Sequence, residues 1–153
     1  MSNAAAAFGQ TFHIRDNCLC LHAQRAARAL SRRFDEAFRP YGITSGQFSL
    51  INGLNRPEPP TIGAVAQLLA MDRSTVTANL KPLERAGLVA ISMDENDRRG
   101  RRVALTDAGR AVLGNATPVW VREHALIESG VHDGDALRKA LLALALRPEP
   151  SIG

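Results

Sequence analysis

The 153-residue sequence predicts a mainly α-helical chain with one small β-hairpin, and three observations carry that prediction. Over most of the chain apolar residues recur three and four apart, the helical period. Two short apolar runs, residues 88–91 and 103–105, bracket a polar stretch at 94–102, the pattern of a hairpin with a long charged tip. Two short helical stripes joined by Ala70-Met71 stand directly before it, the pattern of a helix-turn-helix. Together they predict a winged helix-turn-helix lobe over residues 44–106, with helical segments at about 15–39 and 107–147 on either side.

The elements follow in order. The first 13 residues, alanine-rich up to about Gly9, read as a flexible tail, and residues 14–153 as a single domain. Over residues 15–39, Ala23, Ala26, Ala27, Leu30, Phe34, Ala37 and Phe38 form a stripe, with Arg25, Arg28, Arg32 and Arg33 mostly off it. This long helix ends at Pro40 and Gly42. A second helix starts at a Thr44 or Ser45 cap and buries Phe48, Leu50, Ile51 and Leu54 before the proline-rich loop at 56–60. Thr61 caps a short helix with Val65, Leu68 and Leu69 inward, and Asp72 caps the next. In that helix Val76, Leu80 and Leu83 form the buried stripe, and a turn of about 100° per residue faces Ser74, Ala78, Lys81 and Arg85 outward with Thr75 and Thr77 beside them. Pro82 removes one backbone hydrogen bond, and two readings stay open: a tolerated kink near the helix end, or a changed angle for residues 83–86. Gly87 ends the helix. After the hairpin, Thr106 caps a helix running to about Glu128, with Ala108, Val112, Ala116, Val119 and Trp120 inward and a kink at Pro118. Asp133 starts the last helix, where Leu137, Leu141 and Leu144 exceed what one buried face can hold.

The composition, 45% apolar and 22% charged, allows a core without disulfides or metal, and a net charge of +4 leans toward an acidic partner such as nucleic acid. No run approaches the ~20 apolar residues of a membrane span and the start does not read as a secretion signal, so a cytoplasmic protein without membrane contact is expected. Two cysteines, Cys18 and Cys20, agree with a reducing compartment. His13, His22, His124 and His132 show no ligand or triad spacing and no glycine-rich phosphate loop is present, so neither an enzyme, a cofactor nor a metal site is expected. Cys18 and His22 would share a helix face, but two ligands are too few for a metal.

With these motifs placed, the chain resembles the MarR family of bacterial transcriptional regulators. The resemblance is carried by Asp72-Arg73-Ser74-Thr75-Val76-Thr77, Leu83-Glu84-Arg85-Ala86-Gly87-Leu88-Val89, Asp97-Arg98-Arg99 and Val103-Ala104-Leu105-Thr106-Asp107-Ala108-Gly109, and their order and spacing are specific over residues 61–109. It implies a homodimer in which the terminal helices intertwine and two lobes read a pseudo-palindromic operator in double-stranded DNA. The apolar excess of both terminal segments separately asks for a partner surface. Recognition helices one DNA turn apart, roughly 34 Å, put the half-sites about 10 bp apart. The resemblance further implies release by a small phenolic or aromatic effector, with His22, Phe48 and Trp120 as pocket candidates from family position; a repressor is expected because an occluding dimer needs no polymerase contact.

In the recognition helix, Ser74, Thr75 and Thr77 are placed to bond phosphates or bases and Lys81 to meet the backbone. Ala78 stands where many relatives carry an arginine, so two readings stay open: weaker direct base readout, or readout shifted toward a thymine methyl. At the wing, the resemblance places Arg99 in the minor groove with Asp97 orienting it through a salt bridge across the tip. A narrow A·T-rich minor groove concentrates negative potential and attracts such a guanidinium. Arg98, Arg101 and Arg102 read as phosphate binders or rim charges; the alternative is a solvated charge run, since Asp94, Glu95 and Asp97 lie among them. Two other classes stay open. One is a thiol-based redox regulator using Cys18 and Cys20, although neighbours two apart on a helix diverge by about 200° and do not readily pair, and small buried packing residues are the plainer reading. The other is a winged helix serving protein contacts, which would call for an apolar recognition face.

Overall fold

A computed structural model describes residues 2–146, with side chains from residue 8 onward. The predicted class holds: seven α-helices and a two-stranded antiparallel hairpin among the described residues. The start of the chain differs from expectation, because α1 (Ser2–Asn17) is helical where a tail was predicted. Alanine is the strongest helix former, which accounts for regular structure without packing, and the side chains of residues 8–17 are all exposed. The long helix read from residue 15 instead begins as α2 (Leu19–Phe38): Cys18 leaves the helical conformation and its Sγ accepts the Leu21 N–H at 3.4 Å. Cysteine is not among the common capping residues, so this break carries no ordinary sequence signal.

Only the last third of the α2 stripe is covered. Phe38 is buried with Phe34 and Ala37 packed beside it, whereas Ala23, Ala26, Ala27 and Leu30 lie exposed. After a short 3-10 turn, α3 (Ser45–Leu54) starts on a reciprocal cap: Thr44 Oγ1 accepts the Gln47 N–H and Gln47 Oε1 accepts the Thr44 N–H. Phe48 stacks on Phe38 with centroids 4.5 Å apart, fastening α3 to α2. The Asp35 carboxylate accepts the Ser45 N–H at 2.7 Å and adds a polar tie between the same helices.

Helix α4 (Ile62–Leu69) is capped by Thr61 and buries Val65 and Ala66. Leu68, expected inward, is exposed, because two turns of helix present one narrow face to the core and Leu68 falls beside it. The turn that follows places Ala70 in the left-handed region at φ 51°, where the Ala70 and Met71 N–H groups both bond the Ala66 carbonyl. A Cβ in that region costs roughly 1 kcal/mol.

Helix α5 (Arg73–Arg85) packs through Val76, Leu80 and Leu83, which are at most 1% exposed. Asp72 occupies the cap position but its side chain makes no capping bond, contrary to expectation. The helix passes through Pro82, whose carbonyl accepts the Ala86 N–H at 3.0 Å. Strands β1 (Val89–Met93) and β2 (Arg101–Leu105) pair with Ile91 opposite Val103 and Met93 opposite Arg101, extending nearer the tip than the apolar runs indicated. The extension adds Ser92, Met93, Arg101 and Arg102, which lie toward the solvent-facing end of the hairpin. Pro60 accepts the Val103 N–H at 3.0 Å, so the loop before α4 shields part of β2.

Helix α6 (Asp107–Glu128) begins at Thr106, whose Oγ1 accepts the Gly109 N–H and donates to the Gly87 carbonyl at 2.6 Å. Gly109 has to be glycine: a Cβ there would overlap the Leu88 carbonyl oxygen. The buried face is Gly109, Leu113, Ala116 and Val119; Ala108 and Trp120, expected inward, are exposed because the face is set by Leu113 instead. Arg33 Nε pairs with Glu123 at 3.0 Å and joins α6 to α2. Helix α7 (Gly134–Ala145), capped by Asp133, buries none of its residues. Residues 147–153, the end of the predicted last helix and domain, lie outside the described residues.

Candidate nucleic-acid interface

Burying Val76, Leu80 and Leu83 turns the opposite side of α5 to solvent, and Ser74, Thr75, Thr77, Ala78 and Lys81 are all exposed on it. Thr77 is more restricted than its exposure indicates. Its hydroxyl donates to the Arg73 carbonyl at 2.8 Å, so toward a ligand it offers lone pairs and a methyl only. A phosphate, which carries acceptors, is a poor match; the exocyclic amino group of adenine or cytosine is a good one.

The wing tip is built from two aspartates with different tasks. Asp97 Oδ1 accepts the backbone N–H of Arg99 at 3.0 Å, and the Gly100 N–H closes the turn on the Asp97 carbonyl at 2.8 Å. The expected Asp97–Arg99 salt bridge is therefore replaced by an Asx turn, and the Arg99 side chain keeps its charge unpaired among the described residues. The shape of the tip is fixed through Arg99's backbone, which two residues of spacing favour over a side-chain bridge.

The ion pair lies elsewhere. Asp94, buried at 7% exposure, accepts the Asn96 N–H at 3.0 Å and meets Arg102 Nε at 3.2 Å. The Asn96 backbone bond first, and the Arg102 guanidinium second, hold this carboxyl below the usual aspartate range. Arg102 also donates to the Pro59 carbonyl at 2.8 Å, so it clasps the wing to the loop before α4 rather than serving as the rim charge expected of it. Arg101 folds back, its Nη1 donating to the Gly100 and Arg98 carbonyls. Arg98 and Arg99 remain exposed.

Between the wing and α5 lies an open groove of about 370 Å³, bordered by Arg73, Thr77, Asp97, Arg99 and Arg101. Recognition-helix and wing residues picked separately from the sequence thus share one depression, although Ser74, Thr75, Ala78, Lys81 and Arg98 do not line it. Arg73 was missed. It belongs to the quoted Asp72 to Thr77 motif, but a projection from the buried stripe alone turns it aside from the outward face.

A second cavity, about 430 Å³, opens between α3, α4 and α6. It brings together Phe48 and Trp120 with Ser49, Asn52, Leu68 and Thr117. His22 is not part of it; that side chain is exposed on α2 with Nδ1 2.8 Å from the Cys18 carbonyl. Cys18 is half-buried at the α1–α2 break and Cys20 exposed, where Gln24 Nε2 donates to its sulfur at 3.4 Å. Among the described residues no three histidine, cysteine or acidic side chains converge as a metal site requires, and no helix is long and apolar enough to cross a membrane.

Two helices joined by a tight turn, the second standing free beside a charged hairpin, define a winged helix-turn-helix protein. The model described as the MarR family matches residues 41–100. The regulator MgrA of Staphylococcus aureus is 30% identical over 103 residues, a match covering 65% of this chain and 70% of that one. The transcriptional activatory protein BadR of Rhodopseudomonas palustris is 32% identical over 99 residues, 63% of this chain. This chain spans 57% of BadR, little more than half its length. Among solved structures, the regulator MosR of M. tuberculosis in complex with DNA superposes with a TM-score of 0.79 at 34% identity, over 84% of this chain and 94% of that one. The chain belongs to the MarR family, a family of transcriptional regulators.

Proposed function

We propose that this protein is a sequence-specific DNA-binding regulator, homodimeric on a pseudo-palindromic operator, that represses its target and is released by a small phenolic or aromatic ligand. The observation that carries the reading is the shared groove, where α5 and the arginine-bearing tip border one depression. A helix for the major groove and a wing for the adjacent minor groove must straddle one strand of the duplex, and this placement meets that need. The solved DNA complex of MosR supports it. We assign Ser74, Thr75, Thr77, Ala78 and Lys81 to the major-groove side, and Arg99 to the minor groove with Arg98 and Arg101 at the rim and Asp97 shaping the tip.

Dimerisation is supported by apolar surface that one chain leaves open. Leu30, Val121, Leu126, Leu137, Leu141, Leu142 and Leu144 are exposed on α2, α6 and α7. Covering half-exposed side chains of this size contributes about 1 kcal/mol each on both partners, comparable to or greater than an association cost of about 4–15 kcal/mol. The ligand reading rests on the second cavity, whose size suits a small molecule and whose Phe48 and Trp120 rings accompany the polar Ser49, Asn52 and Thr117, a match for a hydroxylated ring. Leu68 and Leu69 on its wall belong to α4, so an occupant there would bias the helix on which α5 is hinged. Repression is the simpler sign, since an occluding dimer needs no polymerase contact. A regulator acting on DNA in this way is assigned to the cytoplasm.

The test is a footprint of the purified protein on DNA flanking its own gene, with and without hydroxycinnamic and hydroxybenzoic acids, beside a transcriptional reporter. A protected pseudo-palindrome with half-sites about 10 bp apart is expected, together with release by one of the acids and a reporter that rises on release. Absence of any protection would sink the DNA reading; protection that no acid relieves would sink the phenolic ligand.

A further inference from the structure

The groove between α5 and the wing contains charges that the fold itself does not use. Its two carboxylates are engaged within the wing: Asp97 Oδ1 accepts the Arg99 N–H, and Asp94 accepts the Asn96 N–H and pairs with Arg102. Arg101 is turned onto backbone carbonyls. The guanidiniums of Arg73 and Arg99 have no hydrogen-bond or ion-pair partner among the described residues, and they face the same depression from opposite elements. Arg73 is also seated with care. Its guanidinium lies across Gly63 of α4, where a Cβ would stand 2.9 Å from Nη2 and 3.2 Å from Cζ, so any other residue at 63 displaces it.

We propose that Arg73 is a DNA-contacting residue that grips a backbone phosphate of the strand running between recognition helix and wing, opposite Arg99. The proposal rests on the DNA-binding reading above. With α5 in the major groove and the wing tip in the neighbouring minor groove, the sugar-phosphate chain separating the two grooves passes through this gap. Phosphate is a bidentate match for a guanidinium fork. Thr77 on the same wall has already donated its proton, so Arg73 supplies the donors that this side of the groove otherwise lacks. The contact carries no sequence information and sets the register of α5 relative to the bases that Ser74 and Thr75 reach.

The experiment uses the full chain and a labelled 30-bp duplex that the protein has selected from a random pool. Dissociation constants are measured from 50 to 300 mM KCl for the wild type, Arg73→Ala, Arg73→Lys and Gly63→Ala, with ethylation interference on the same duplex. Arg73→Ala is expected to weaken binding about tenfold at 150 mM salt and to lower the log–log salt slope by about 0.9. It also removes interference at one phosphate per half-site, between the two protected grooves. Arg73→Lys keeps the slope while losing part of the affinity, and Gly63→Ala weakens binding with the charge count intact. Thermal unfolding of Arg73→Ala stays near wild type, since the guanidinium has no hydrogen-bond or ion-pair partner among the described residues to lose. Unchanged affinity and slope in Arg73→Ala, with the wild type binding normally, overturns this proposal alone. A wild type that selects and binds no duplex overturns the DNA reading and the proposal with it.

Discussion

The winged lobe and the two ends of the chain solve the same burial problem in opposite ways. Within the lobe Val76, Leu80, Leu83 and Val103 are sealed from solvent by neighbours in the same chain. Helix α7 is as rich in leucine and buries nothing, and the first half of α2 leaves its alanine stripe open. Apolar residues at helical spacing therefore mean two things in one sequence. In the lobe they are a finished core; at the ends they are half of one.

Breaking the lobe should have the largest effect. Leu80→Ala removes a fully buried side chain from the lobe core and should cost about 3 kcal/mol in urea unfolding. The loss should be the same at every protein concentration, because no partner shares that core. Gly109→Ala attacks the seam between lobe and α6 by driving a Cβ into the Leu88 carbonyl, and should cost about 2–3 kcal/mol. A cost below about 0.5 kcal/mol for either would mean that the lobe is looser than its packing indicates.

The ends should answer differently. Leu137→Ser with Leu141→Ser should cost less in lobe unfolding than either lobe substitution, yet make the melting temperature depend steeply on concentration and move sedimentation toward a single chain. A smaller effect of opposite sign is expected at the turn. Ala70→Gly relieves the left-handed strain at φ 51° and should stabilise by about 0.5 kcal/mol, read as a higher urea midpoint with unchanged slope.

The smallest effect concerns pH, and it separates lobe from ends again. Asp94 titrates below its unfolded value because Asn96 and Arg102 favour the carboxylate. Its contribution is thus present above the ordinary aspartate pKa, near 3.9, and disappears as pH falls through the depressed folded value. Glu123, held down chiefly by Arg33, and Glu128, held down chiefly by Arg138, have the same sign on the terminal helices. Asp94→Asn should flatten the acid limb of wing stability, read as earlier hydrogen exchange at Gly100 near neutral pH, without altering the concentration dependence.

The lobe was legible in the sequence because each of its signals is local and repeated. Thr44, Thr61 and Thr106 cap where their spacing places them, and the stripe of α5 is the one that packs. The elements that escaped are those decided by non-local partners or by uncommon chemistry. Cys18 starts α2 through its sulfur, and the helical start of the chain follows from alanine propensity. Leu68 was read as core from periodicity, yet it borders a cavity that only the meeting of α3, α4 and α6 creates; Trp120, read both as an inward residue and as a pocket candidate, lines the same cavity. At the wing, Asp97 was singled out from the sequence but its partner atom was not, and Asp94 was read only as part of a charge run. Asp97 and Arg99 are linked through the backbone, and the ion pair belongs to Asp94 and Arg102, because strand register decides which side chains meet.

The central claim is that the lobe reads DNA with α5 and the wing together. Its most direct measurement is the affinity of Arg99→Ala for the selected duplex as a function of salt. The account predicts weaker binding and a salt slope lower by about one unit, with unfolding unchanged because that guanidinium has no hydrogen-bond or ion-pair partner among the described residues. Wild-type affinity and slope in Arg99→Ala would contradict it.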